Sequence, residues 1–347
     1  MMRSIKTEKR IIAFTLILLL IGILTGCSLH KKDQKIPVKV LILPKFEVGE
    51  MTGDFPGEAQ YYYEEYLAGG DVYEIEGSSE ESKLYYKDGI AMYTLGQGKV
   101  SAALNTSIVL SDQRFDFSDA YVLSVGCGGY AEGYGIFGDV FVISSAVDFD
   151  LGHRADPRDM TKEPETTWFH DESFDQSAVI HLDQNLTDRV YKQVEEVRLE
   201  TTEQTERFLR SEYPGEEWAN RPPQVMRGTS VTGDNFWKGN YDHQNALLIT
   251  ETYGCSDPFA ITEMEDIAVG HAVKCFGMLD RLIILRSSVN MDVFPTGVTP
   301  ETLWGPESDD HLASENSLES VDIFETAMKN CFITGKVLIE AILEGDL

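Results

Sequence analysis

Ala120-Tyr121-Val122-Leu123-Ser124-Val125-Gly126-Cys127-Gly128-Gly129 is the stretch on which the fold turns. Its first six residues are mostly apolar, without the alternation of a half-solvated strand, and read as a strand covered on both faces. Upstream, residues 38–43 read as another such strand, ended by Pro44; residues 58–67 read as helix, 90–95 as strand and 100–110 as a helix entered through Gly96-Gln97-Gly98. Downstream, strands are predicted over 139–144, 224–229 and 281–286, and helices over 185–209, 262–276 and 320–344. Strands alternating with helices imply an α/β fold around a largely parallel, covered sheet. Residues 150–225 are more polar and carry Pro157, Pro164, Pro214, Pro222 and Pro223, which reads as a substrate-side insertion with a surface helix.

The glycine run lacks G-x-G-x-x-G spacing, and a strand follows where a crossover helix should open, so it does not read as a dinucleotide site. It reads either as a strand-end turn whose amides face a ligand or as a plain tight turn. Asp148, Asp150 and His153 bring oxygen and imidazole donors together, yet an acidic loop in so acidic a chain reads first as solvated; no metal and no cofactor is expected. Neither G-x-S-x-G nor H-E-x-x-H occurs. More informative is Glu263-Met264-Glu265-Asp266-Ile267-Ala268 at a predicted helix start, followed by a strand ending in Arg286-Ser287-Ser288-Val289-Asn290. A carboxylate there can chelate a sugar diol, and polar groups at strand ends sit where α/β sheets bind ligands. Helix capping by Thr262 and Glu265 is the alternative use of the same residues.

Of 347 residues, 42% are hydrophobic and 25% charged, a balance that buries a core and excludes disorder over most of the chain. With 29 basic against 58 acidic residues the net charge is −29, which argues against a phosphate-tracking nucleic-acid binder. Arg3, Lys6, Lys9 and Arg10 precede an uncharged apolar run ending in Leu24-Thr25-Gly26-Cys27. This reads as an export signal over residues 1–27 with a lipobox that lipidates Cys27. The run is shorter than the roughly 20 residues of a spanning helix. Residues 28–36 then form a polar tether and 37–347 one domain, anchored at the outer face of the cell membrane. Cys127, Cys255, Cys275 and Cys331 are widely spaced and frame no zinc site.

Residues 38–50, 94–103, 125–142, 229–239 and 261–290, in that order, make the chain similar to the nucleoside phosphorylase/nucleosidase superfamily, and most closely to its purine nucleoside permease branch. The resemblance implies a single-domain three-layer α/β sandwich with a mixed, barrel-like sheet flanked by helices, often a homo-oligomer, which binds or cleaves purine nucleosides. It implies that Met264 packs under the ribose, Glu265 accepts its hydroxyl protons, Phe236 and Trp237 hold the purine, and Cys127 and Gly128 line the reacting side of the sugar. The position that carries an acid in many members is Asn290 here, with Asp292 two residues on as the other candidate acid. Ser124-Val125-Gly126-Cys127 stands where phosphorolytic members place an arginine, so water is the expected nucleophile, activated by Glu47 or Glu50. The expected function is hydrolytic cleavage of purine nucleosides for salvage. The competing one is a non-catalytic nucleoside-binding component that serves a separate membrane permease.

Overall fold

Ring closure between strands far apart in sequence organises the computed structural model, which describes residues 35–347 apart from 79–82, 163–165, 296 and 305–317. The export segment, Cys27 and residues 28–34 of the tether lie outside the described residues. The strands that matter are β1 (Val40–Leu43), β2 (Asp71–Glu74), β3 (Lys83–Lys87), β4 (Ile90–Met92), β5 (Tyr121–Tyr130), β6 (Val140–Asp148), β7 (Val179–His181), β8 (Val225–Thr232), β9 (Phe259–Glu263) and β10 (Leu282–Met291). In the described residues they form one sheet in the order β7-β6-β8-β9-β5-β1-β4-β3-β2, and β10 pairs with both β5 and β6. The pairings β6/β8, β8/β9 and β5/β10 are parallel, while β9/β5 and β10/β6 are antiparallel. Five strands thereby close a mixed barrel, and the sheet runs on from β5 through the parallel β1 and β4.

The two-residue strand period and the helical period meet in one core. Val40 and Ile42, Leu123 and Val125, Val140 and Val142, and Ile283 and Leu285 are buried at alternate positions of four strands. Against them pack Leu186, Val190 and Val194, one face of helix α2 (Gln184–Val194), and Leu338, Ile339 and Ile342 of helix α6 (Leu318–Glu344). Each such side chain removed from water contributes roughly 1.5–3 kcal/mol. The remaining long helices are α1 (Lys99–Ser111), α3 (Glu203–Glu212), α4 (Asn240–Thr252) and α5 (Asp266–Cys275).

Three expectations are corrected. Gly126, Gly128 and Gly129 form no turn but lie inside β5, and none has a positive φ. They are small because neighbours press in: a Cβ on Gly126 would stand 2.7 Å from Arg286 Nη1 and 2.8 Å from Glu58 Oε1, and one on Gly128 would overlap the Thr262 carbonyl oxygen. The predicted 185–209 helix is two helices, α2 and α3. The Asn330 amide of α6 bonds both the N–H and C=O of Glu200, taking the backbone between them out of the helix, and the Thr202 side chain then caps α3. Residues 262–276 are not all helix either, since β9 runs to Glu263 and α5 begins at Asp266.

The barrel is tight where Gly228 on β8 faces Ala260 on β9; a Cβ at Gly228 would collide with that of Ala260. Gly228→Ala is expected to cost about 1–3 kcal/mol through overpacking, read as a lower denaturant midpoint at unchanged slope.

Candidate active site

A cleft of about 240 Å³ opens between the loop after β1, the C-terminal end of β5, the β9–α5 junction and the end of β10. Its floor is a charge cluster centred on Arg286, which β10 carries into the barrel and which is 1% exposed. The guanidinium donates to Glu263 Oε2 at 2.8 Å, Glu265 Oε2 at 3.0 Å and Asp266 Oδ1 at 2.7 Å, and to the Cys127 carbonyl at 3.0 Å. Glu263 also accepts the backbone N–H groups of Glu265 and Asp266, capping α5, and a hydrogen bond from Thr232 Oγ1. Burial, followed by the charge of Asp266, pushes the Glu263 carboxyl up to about 7 despite the arginine.

Glu265 lies at the first turn of α5 and is 4% exposed. Its Oε1 accepts the Gly98 N–H at 2.9 Å, from the residue that starts α1 with φ 85°. Arg286 takes only one lone pair of Oε2, so both oxygens retain acceptor capacity toward the cleft. Opposite, Lys45 is buried after β1; its ammonium donates to Ser124 Oγ at 2.7 Å and to the Val125 and Leu43 carbonyls at 2.8 and 3.2 Å. Burial and the Arg286 charge hold that lysine below its ordinary pKa. Glu58 accepts the Lys45 N–H at 2.7 Å and the Cys127 N–H at 2.8 Å, and burial raises its carboxyl above the usual range. Two cations therefore face four carboxylates: Glu58, Glu263, Glu265 and Asp266.

Met264, Glu265, Cys127, Gly128, Phe236, Trp237 and Asn290 all line this cleft, as do Gln97, Phe46 and Phe324. Phe236 is 62% exposed, whereas Trp237 is buried and stacked on Phe149 with centroids 4.8 Å apart. Burial pushes the Cys127 thiol well above its ordinary value, which keeps it un-ionised.

Glu47 and Glu50 do not line the cleft. The Glu47 carboxylate is taken up by the N–H groups of Val48, Gly57, Ala59 and Gln60, and Glu50 is exposed. Asp292 is also absent from the lining: it is fully buried, with His243 Nδ1 at 2.6 Å. The carboxylate that does face the cavity from the first strand's side is Glu58, displaced from β1 by the 48–57 loop. Lys45 and Arg286 were missed as site residues too: although Ser124-Val125-Gly126-Cys127 carries no arginine, both cations reach the cleft beside it. Asp148 and Asp150 are bridged by Lys99 Nζ at 3.0 and 2.7 Å, and His153 turns away to Asp171.

A family model described as purine nucleoside permease matches residues 37–345. A probable purine nucleoside permease of Schizosaccharomyces pombe is 26% identical over 226 residues, 58% of this chain. The match spans 64% of that relative, just under two thirds of its length. The 5'-methylthioadenosine/S-adenosylhomocysteine nucleosidase of Neisseria meningitidis superposes with a TM-score of 0.52 at 14% identity, over 87% of this chain and 99% of that one. The corresponding Helicobacter pylori nucleosidase gives 0.51 at 17%, over 88% and 100%. These likenesses place the chain in the nucleoside phosphorylase-like α/β fold.

Arg286→Leu removes the one cation bonded to three buried carboxylates and is expected to cost about 3–5 kcal/mol near neutral pH. Without it Glu263, already pushed up by burial, holds its proton more tightly than in the unfolded chain, so the variant should regain stability as pH falls from 7 toward 5. Urea unfolding at several pH values reads both effects; an equal deficit at all of them would dismiss the cluster as a charge device.

Proposed function

The chain belongs to the purine nucleoside permease family, and from that premise we propose that it is an extracytoplasmic lipoprotein, anchored through Cys27, which binds purine nucleosides and cleaves their N-glycosidic bond with water. One observation carries the proposal: a single cleft combines a diol-type carboxylate (Glu265), an exposed aromatic face (Phe236), an amide (Asn290) and a second carboxylate on the opposite wall (Glu58). In this reading Glu265 chelates the ribose hydroxyls while Met264 packs beneath the ring. Phe236 stacks on the base, and the Asn290 amide donates a hydrogen bond to a ring nitrogen as electrons flow into the leaving purine. Glu58 aligns the attacking water and takes its proton as the hydroxide adds to the ribose carbon, and the purine, leaving with the bond's electron pair, is protonated from solvent.

Breaking the bond leaves positive charge on the ribose ring. The Glu265 carboxylate in the cleft, held by fixed donors, is preorganised to stabilise it, and a chain of net charge −29 disfavours a phosphate dianion. Hydrolysis is therefore preferred over phosphorolysis. A second reading has the protein bind nucleosides without cleaving them and pass them to a separate membrane permease. The family description supports it, and among the described residues no helix is long and apolar enough to cross a membrane.

Incubating the detergent-solubilised chain with inosine, guanosine and adenosine, with and without phosphate, separates the readings. Free base and ribose should appear without phosphate; binding with no base released under either condition would leave only the transport reading. Glu58→Gln should lower kcat/KM by about 10²–10⁴ with nucleoside binding retained. Because a base must be ionised and burial raises Glu58, wild-type kcat/KM should fall on the acid side with a midpoint above 4.5, and a midpoint at or below that value would remove Glu58 from the role.

A further inference from the structure

Asp292 and His243 form a buried pair that the proposed chemistry leaves unused. Asp292 stands where three segments meet: its Oδ1 accepts the Glu132 N–H at 3.0 Å, its N–H donates to the Tyr130 carbonyl at 3.0 Å, and its carbonyl accepts the Gly239 N–H at 2.8 Å. Oδ2 meets His243 Nδ1 at 2.6 Å, from the first turns of α4. Each segment leads into the cleft within a few residues, to Gly128 and Gly129 along β5, to Asn290 along β10, and to Phe236 and Trp237 before Gly239. The His243 ring further packs on Phe259, which packs on Trp237, with centroids 5.9 and 6.5 Å apart.

We propose that Asp292 and His243 act as a positioning pair, pinning the base-binding wall formed by Asn290, Phe236 and the β5 glycines into one geometry. This assignment rests on the nucleoside reading of the cleft and takes Asp292 out of the role of proton donor to the base. The groups facing His243 are Asp292, from the end of β10, and Glu132, after β5; Glu216 lies near Glu132, and the adjacent Asp242 is paired with Arg154. Burial disfavours the imidazolium, but the Asp292 hydrogen bond and the two carboxylates outweigh it and hold His243 above its ordinary 6.5. Burial raises Asp292 above 3.8 although His243 opposes this. The ion pair is lost as pH rises through the first value or falls through the second, so base affinity should be bell-shaped in pH.

The test uses the full chain and its Asp292→Asn and His243→Gln variants, with hypoxanthine and adenine as calorimetric probes. Both variants should raise the base Kd roughly tenfold or more and raise KM more than they lower kcat. His243→Gln should also erase the alkaline limb of binding. At fixed pH, amide exchange should quicken in residues 128–132 and 233–243 and stay unchanged elsewhere, a readout that needs no ligand. A large fall in kcat at unchanged Kd and exchange would make Asp292 the acid and overturn the proposal. So would exchange that rises evenly over the chain, which would mark a fold-wide role. Localised exchange without base binding by the wild type would instead overturn the nucleoside reading and leave the junction standing.

Discussion

One guanidinium holds the molecule's two tasks together. Arg286 is buried among Glu263, Glu265 and Asp266, and its position is shared between the closure of the barrel and the floor of the cleft. Removing any carboxylate would unbalance the remainder, and removing the arginine would strand all three. The glycines of β5 follow from the same constraint, because Gly126 leaves the room into which the guanidinium and Glu58 reach. The start of α5 follows as well, since the carboxylate that caps it is one that the arginine holds.

A cluster of this kind contributes little net stability, because the cost of taking six ionisable groups out of water offsets their attraction. What it supplies is a fixed field. The donors around Glu265 and Glu58 are backbone N–H groups and one guanidinium, none of which has to reorganise when charge develops on a ligand. The apolar core formed by Val40, Leu123, Val140, Ile283 and the α6 face carries the stability that lets the cluster exist.

Much of the fold was legible because strand and helix periods are local. Apolar runs at 38–43, 120–125 and 281–286 and the amphipathic 320–344 all became elements near their expected places. Ring closure came only through the family resemblance, which implied a barrel-like sheet, since nothing in 282–291 alone says that it pairs on both edges. The long helix at 185–209 failed for a tertiary reason, the competition of Asn330 for the Glu200 backbone. In the site, Glu265, Phe236 and Asn290, named from the motifs that carry the resemblance, line one cleft. Glu58 was missed because the 48–57 loop separates it from β1, while Glu47, adjacent to the strand, spends its oxygens on backbone. Lys45 and Arg286 were invisible because a buried cation reads as a surface one until its partners are known.

The ring also dictates a chronology. Lys45 and Glu58 come early in the chain, Glu263, Glu265 and Asp266 much later, and Arg286 later still, so a chain emerging N-terminus first holds its carboxylates solvated until β10 arrives. Sequence-distant pairing of this kind is slow, because loop closure precedes its reward. The cleft, lined from both the first and the last strand of the barrel sheet, is complete only once β10 is in place.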